Sequence, residues 1–262
     1  MKALILTEGG SGLGFGHVSR CTALSQGLEL RGISVYFIVN GDSSVVDFLP
    51  KSRYQIFDWV KDPERMRPVL SETDSVIIDS YLAPGSLYED ISGYLYSKAG
   101  SLLMIDDFKR VDYPGGIVAN PSVYGHSLRY PKNERIKYLL GESYIILRKD
   151  FWEIPGKTIN MKIRNVLVTF GGVDYLGLAN KVSDFIREEF GFSSYVVDPR
   201  RSRLGAKKML DLMLKADVCI SGGGQTIHEL ARVGVPTIGI CFAENQRLNL
   251  DGWRKKRFIE YA

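Results

Sequence analysis

Two glycine-rich corners hold the residues of this chain best suited to chemistry. The first, EGGSGLGFGHVSRC (residues 8–21), runs from the end of an apolar stretch into a helical pattern and carries one histidine, His17. An imidazole at the start of a helix has its protonated form disfavoured by the helix dipole, which leaves it neutral and able to take a proton from water. The same position also suits a histidine that caps the helix or touches phosphate. The second corner, ADVCISGGGQTIHELARVGVPTIGI, spans residues 216–240. A buried strand ends at Ser221, Gly222, Gly223 and Gly224 let the chain turn tightly, and Gln225 and Thr226 open a helix. The free N–H groups of that helix and its dipole favour an anion such as phosphate. No lysine follows the glycines, as a Walker A loop requires, and the spacing is not that of a dinucleotide fingerprint. Glu229, one turn into the helix, is placed to accept both hydroxyls of a ribose. A plain strand-to-helix turn would also use these glycines.

Further candidates sit at the ends of apolar runs. IDSY brings Asp79 and Tyr81 to a strand end, and MIDDFKR does the same for Asp106 and Asp107. Paired carboxylates invite a divalent-metal reading, and a structural role at the strand end is the alternative. AENQ (residues 243–246) begins a helix whose amides can donate to oxygens or cap the helix. In VTFGGVD, Gly171 and Gly172 allow a second backbone approach to phosphate, and Asp174 is an N-cap candidate. His126 lies in a loop pattern, and His228 lies within an apolar helix pattern that predicts packing.

Elements of the required kind surround these residues. KALILT, SVYFIV, DSVIID and SLLMIDD are strand-length apolar runs without polar alternation, and HVSRCTALSQGLELRG is a helix between the first two. Strands of this kind are covered on both faces, which predicts α/β structure with a parallel sheet. A second series follows: IRNVLVTFGG, the helix GLANKVSDFIREEF, SYVVD, ADVCISGGG and VPTIGICF. Between the series lies RKDFWEIPGKTINMK, which lacks periodicity and holds a Pro-Gly pair. The sequence thus predicts two Rossmann-like domains, 1–152 and 153–262, with ligands bound at the C-terminal ends of the strands around a shared cleft.

The composition is that of an ordinary globular protein, with 45% hydrophobic and 24% charged residues. A net charge of +4 with scattered basic residues suits an anionic small molecule and argues against nucleic acid. No run reaches the ~20 apolar residues of a membrane span, and MKALILTEGG reads as a strand rather than a signal peptide. Cys21, Cys219 and Cys241 are widely spaced and odd in number, which predicts free thiols in a cytoplasmic protein.

GFGHVSRCTAL, IDSY, MIDDFKR, YLLGESYIILRKDF, VTFGGVD, SGGGQTIHELARVGVPTIGI and ENQ occur in the order and approximate spacing of the PseG-like UDP-sugar hydrolases of pseudaminic-acid biosynthesis. The chain resembles that family from its first strand to about Gln246. The resemblance implies a GT-B fold like that of the MurG-type glycosyltransferases, with UDP held mainly by the C-terminal domain and the sugar facing the N-terminal one. It further implies hydrolysis of a UDP-linked 2,4-diacetamido-2,4,6-trideoxyhexose at its anomeric carbon, with no metal or other cofactor. It makes His17 the residue that activates water and puts Tyr81 and Asn245 near the reaction centre. Gly14, Gly16, Arg20, Asp79, Gly171, Gly172, Ser221, Gly222, Gly223, Gly224, Gln225, Thr226, Glu229, Glu244 and Gln246 become substrate-binding candidates. Two other activities fit the same donor site: a GT-B glycosyltransferase, and a UDP-sugar-binding protein without turnover. The family generally continues a few dozen residues beyond ENQ. Here sixteen follow Gln246, and RLNLDGWRKKRFIEYA reads as a shorter closing helix.

Overall fold

The computed structural model describes residues 1–171, 177–198 and 204–261. The chain divides into two compact units, Met1–Ile146 and Leu147–Ala262. The division falls earlier than residue 152 because Phe151 and Ile154, read in sequence as connector, pack with Leu147 into the core of the second unit.

The first unit contains β1 (Lys2–Gly9), α1 (Gly16–Glu29), β2 (Ser34–Gly41), β3 (Tyr54–Ile56), α2 (Arg67–Ser71), β4 (Ser75–Asp79), α3 (Gly85–Ser97), β5 (Ser101–Ile105), β6 (Gly116–Asn120) and β7 (Ile136–Leu140). Its strands form a parallel sheet in the order β3-β2-β1-β4-β5-β6-β7. Successive side chains of a strand point to opposite faces. Leu4 and Leu6 therefore join the apolar cluster on one face, with Ile78, Tyr88 and Met104. Ala3 and Ile5 join the other, with Val18, Cys21 and Phe37. Burial on both faces explains the unbroken apolar runs.

The second unit contains β8 (Asn165–Thr169), α4 (Leu178–Phe190), β9 (Ser193–Val197), α5 (Ala206–Lys215), β10 (Val218–Ser221), α6 (Thr226–Val233), β11 (Thr237–Gly239), α7 (Glu244–Lys255) and β12 (Ile259–Tyr261). Its sheet is also parallel, in the order β12-β11-β10-β8-β9. Val166 and Val168 of β8 pack beneath Ala179 and Ile186 of α4, while Leu167 packs with Met213 and Leu230 on the opposite face. The predicted closing helix stops at Lys255, and Arg257 takes a left-handed conformation at φ 58°. The last residues then pair as β12 against β11, with Thr237 opposite Ile259.

In each sheet the strand order reverses direction at one point, between β1 and β4 in the first unit and between β8 and β10 in the second. The crevice beyond the strand ends at such a point is where open α/β sheets bind ligands. GSGLGFGH follows β1, IDSY closes β4, VTFG closes β8 and SGGG closes β10.

Candidate active site

The loop after β1 is drawn back on itself by two backbone hydrogen bonds, Gly10 N–H to Gly14 O at 2.9 Å and Gly14 N–H to Gly10 O at 2.8 Å. Gly14 has φ +80°, a left-handed conformation that glycine adopts without strain. The turn delivers the chain to α1 with His17 in its first turn. Register does the rest: Thr7 of β1 lies opposite Asp79 of β4.

His17 Nδ1 lies 2.8 Å from Asp79 Oδ1, and the Asp79 side chain is fully buried. Asp79 is also held by Arg20, one turn along α1, whose Nε–H and Nη2–H donate to it at 3.0 and 2.7 Å. Arg20 reaches onward to Asp107 with Nη1–H at 2.8 Å and Nη2–H at 3.0 Å, and Tyr81 donates its hydroxyl to Asp107 at 2.6 Å. The Tyr81 ring meets the His17 ring edge-on, with centroids 4.3 Å apart. Glu8, buried at the end of β1, places Oε1 3.9 Å from His17 Nε2.

This network sets the charge states. Burial opposes both carboxylates, yet Arg20 beside them holds Asp79 and Asp107 below the usual range, with His17 assisting at Asp79. Ionised Asp79 only accepts hydrogen bonds, so Nδ1 of His17 carries the proton and Nε2 is left as the acceptor when the ring is neutral. Burial pushes the His17 pKa down, but the charge and hydrogen bond of Asp79 outweigh it and leave the pKa above 6.5. The helix-dipole expectation of a lowered value is therefore overturned, because a buried carboxylate at 2.8 Å acts more strongly than the end of a helix. Neutral His17 is the more basic for it.

Arg20 and Asp79 have internal partners rather than free donors and acceptors for substrate. Asp107 is likewise bound to Arg20 and Tyr81, and Asp106 accepts from the Tyr130 hydroxyl at 2.6 Å and from the Phe108 amide at 3.2 Å. Among the described residues, no group of three or more His, Cys, Asp or Glu is arranged around a metal position. Gly16 has open space where a side chain would stand, and Tyr81 is 37% exposed.

In the second unit, two of the three loop glycines are required by packing. A Cβ on Gly222 would lie 2.6 Å from the Phe242 ring, and one on Gly223 would lie 2.5 Å from the Gln246 carbonyl oxygen. Gln246 accepts the Gly223 amide at 3.3 Å and Asn249 donates to the Gly223 carbonyl at 3.0 Å, so Gln246 braces the loop from α7. Ser221 is buried and its hydroxyl donates to Gly222 O at 3.2 Å. Gly224 has no atom within 4 Å of a Cβ position, and Gln225 and Thr226 follow it at the start of α6. Gly171 is open in the same sense, while Gly172 and Asp174 lie outside the described residues.

Glu229 is buried, and both its oxygens accept from Arg148, at 2.6 and 2.7 Å. Burial raises its pKa and Arg148 opposes the rise. No local pattern announces Arg148, which lies 81 residues away in sequence. Asn245 is exposed in the first turn of α7, whose N-cap is Ala243, and Glu244 pairs with Arg247 at 2.9 Å. His228 is buried and accepts the Trp253 indole N–H at 3.2 Å.

Comparison with solved structures finds the same architecture over the whole chain. The MurG of Acinetobacter baumannii aligns with 100% of this chain and 86% of its own at a TM-score of 0.62 and 12% identity. Its fold is GT-B. A kitacinnamycin glycotransferase aligns at a TM-score of 0.63, over 100% of this chain and 85% of its own with 12% identity. The Streptomyces glycosyltransferase SsfS6, solved with thymidine diphosphate, aligns at 0.60 with 13% identity, over 98% of this chain and 87% of its own. No family model matches the chain. Three curated proteins are similar in sequence. An uncharacterized Methanocaldococcus jannaschii protein is 22% identical over 98% of this chain and 59% of its own length. The spore coat polysaccharide biosynthesis protein SpsG of Bacillus subtilis is 28% identical over 94% of this chain and 79% of its own. The pseudaminic acid cytidylyltransferase and UDP-2,4-diacetamido-2,4,6-trideoxy-beta-L-altropyranose hydrolase of Helicobacter pylori is 24% identical over 89% of this chain and 43% of its own. The chain thus spans little more than half of the first of these relatives and less than half of the last. No helix among the described residues is long and apolar enough to cross a membrane.

Proposed function

We propose that the chain hydrolyses a UDP-linked 2,4-diacetamido-2,4,6-trideoxyhexose at the anomeric carbon, in the making of a nonulosonic acid or surface polysaccharide. The observation that carries this reading is the Asp79–His17 pair at the strand-order reversal of the first unit, with Nδ1 engaged and Nε2 left to accept a proton. Neutral His17 takes one proton from water. The water oxygen bonds to the anomeric carbon, the bond from that carbon to the β-phosphate oxygen breaks, and its electron pair leaves on UDP. The diphosphate is a stable leaving group once donors hold it. The second unit supplies these donors in this reading, from Gly224 and the start of α6, with Gly171 at the neighbouring strand end. Glu229 takes the ribose hydroxyls on lone pairs left beside Arg148, the Asn245 amide donates to sugar or diphosphate oxygens, and Glu244 accepts from a sugar hydroxyl. Tyr81 lines the sugar side beside His17. The Helicobacter and Bacillus relatives, named for a UDP-sugar hydrolase and for polysaccharide biosynthesis, support the substrate class.

NMR of a UDP-sugar panel, with no acceptor present, tests the proposal. The expected products are UDP and free sugar. Turnover only with an added acceptor would assign a transferase, and UDP binding without any turnover would assign a binding protein.

The loop glycines give a second expectation. Gly223→Ala forces its methyl group against the α7 backbone and lowers stability by roughly 1–3 kcal/mol, the usual cost of overpacking. Gly224→Ala has room, so its melting temperature stays at the wild-type value while UDP affinity falls, because the methyl group stands where the phosphate approaches. Calorimetric titration with UDP beside thermal unfolding separates the two; equal UDP affinity in Gly224→Ala and wild type would remove the loop from the phosphate site.

A further inference from the structure

We propose that Glu8 and His17 together seat the nucleophilic water, one proton of the water directed to each. The inference rests on the hydrolase reading and names a residue that this reading leaves without a task.

Glu8 is an acidic side chain at the end of a strand whose other residues are almost all core, and it is 3% exposed. Its carboxylate is fixed from the turn after β4. The Tyr81 amide donates to Oε1 at 2.7 Å, the Leu82 amide to Oε2 at 3.4 Å, and the Ser80 hydroxyl to Oε2. A carboxylate oxygen has two lone pairs, so Oε1 keeps one beyond its bond to Tyr81. That oxygen lies 3.9 Å from His17 Nε2, too far for a direct hydrogen bond but suited to one bridging molecule. A water about 2.8 Å from each atom would meet them at roughly a right angle, near the angle between its own O–H bonds.

Held in this way, the water has both protons engaged and its lone pairs turned away from the two acceptors. In the attack the proton on the His17 side passes to Nε2, the oxygen bonds to the anomeric carbon, and the carbon–phosphate oxygen bond breaks to release UDP. The second proton stays on the new hydroxyl, still directed at Glu8. The charged and titratable groups around the imidazole are Glu8 from β1, Arg20 on its own helix, Asp79 closing β4, Tyr81 after it, and Asp107 after β5. Of these, Glu8 is the one beside Nε2.

Methanol provides the test, because it has one O–H and cannot satisfy both acceptors. The partition between free sugar and methyl glycoside in dilute methanol, read by NMR, reports how far the site prefers a two-proton nucleophile. Glu8→Asp keeps the charge and draws the oxygen back by one methylene. It should lower turnover on the order of 10-fold to 100-fold, the scale of an ångström-sized misplacement, and raise the methyl glycoside share severalfold, with the UDP Kd unchanged. Glu8→Gln loses the charge but keeps an acceptor oxygen on the Tyr81 amide, so its methyl glycoside share should match wild type. A wild-type share in Glu8→Asp, whatever its turnover or melting temperature, overturns the proposal and leaves Glu8 a brace for the turn. A raised share in both variants would assign the effect to charge and overturn the geometric account. A wild-type protein that releases no free sugar fails the hydrolase reading itself, and the role of Glu8 falls with it.

Discussion

His17→Ala should abolish UDP release, with turnover falling by roughly 10²- to 10⁴-fold, the usual contribution of a positioned general base, while the UDP Kd measured by calorimetry stays unchanged. The separation of the two effects follows from where the groups lie. His17 belongs to the first unit, and the groups proposed to hold the nucleotide belong to the second. Truncating His17 removes the acceptor for the water proton and leaves the diphosphate donors in place. The pH profile adds a second readout. Catalysis needs the neutral imidazole, and burial, outweighed by the charge and hydrogen bond of Asp79, leaves its pKa above 6.5. The wild-type rate should therefore rise with pH along an acid limb whose apparent pKa lies above 6.5. Asp79→Asn removes the charge that raises the value, so its limb should move to lower pH and its maximal rate should fall. A His17→Ala protein that keeps most of its turnover, or an acid limb at the same pH in Asp79→Asn, would take the base assignment away from this residue.

The chemistry of the site was only partly legible in the sequence, and the reason is distance along the chain. His17 and Asp79 each stand out locally, one after GFG and the other closing IDSY, yet their pairing spans 62 residues. It depends on β1 and β4 being neighbours with Thr7 opposite Asp79, and no periodicity encodes register between strands separated by two other strands and two helices. Arg20 has the same history. The resemblance makes it a substrate-binding candidate, and only the fold shows two buried carboxylates converging on it. The apolar strands were readable because burial on both faces leaves no polar alternation to confuse them. GIVAN and IKYLL, which form β6 and β7, open on a glycine in one case and hold a lysine inside the run in the other, so their apolar signal is weaker. The turn between α7 and β12 escaped notice because Arg257, not glycine, takes the left-handed conformation.

Arg20→Met should destabilise the protein by roughly 3–5 kcal/mol near neutral pH, the usual cost of removing one partner from a buried ion pair. That corresponds to a fall in Tm on the order of 10 °C. The methionine fills most of the volume, so the loss is one of charge and hydrogen bonding rather than of packing. Asp79 and Asp107, at 0% and 8% exposure, would then be left buried without the cation that offsets their burial. The sign of the pH dependence distinguishes this cause from a cavity. In the wild type the two carboxyl pKa values are depressed, so the stability they confer is present above the ordinary carboxylate pKa of about 4 and is lost as pH falls through the lower folded values. In Arg20→Met, Asp79 still has His17 beside it, but Asp107 loses its cation, and burial raises its value above the unfolded one. Protonation then favours the folded state, and the variant should recover part of its lost stability as pH falls from 7 toward about 5, where the wild type gains nothing from these two groups. Urea unfolding at several pH values measures the difference. A deficit that stays constant over that range would mean that Asp79 and Asp107 find other partners when Arg20 is gone.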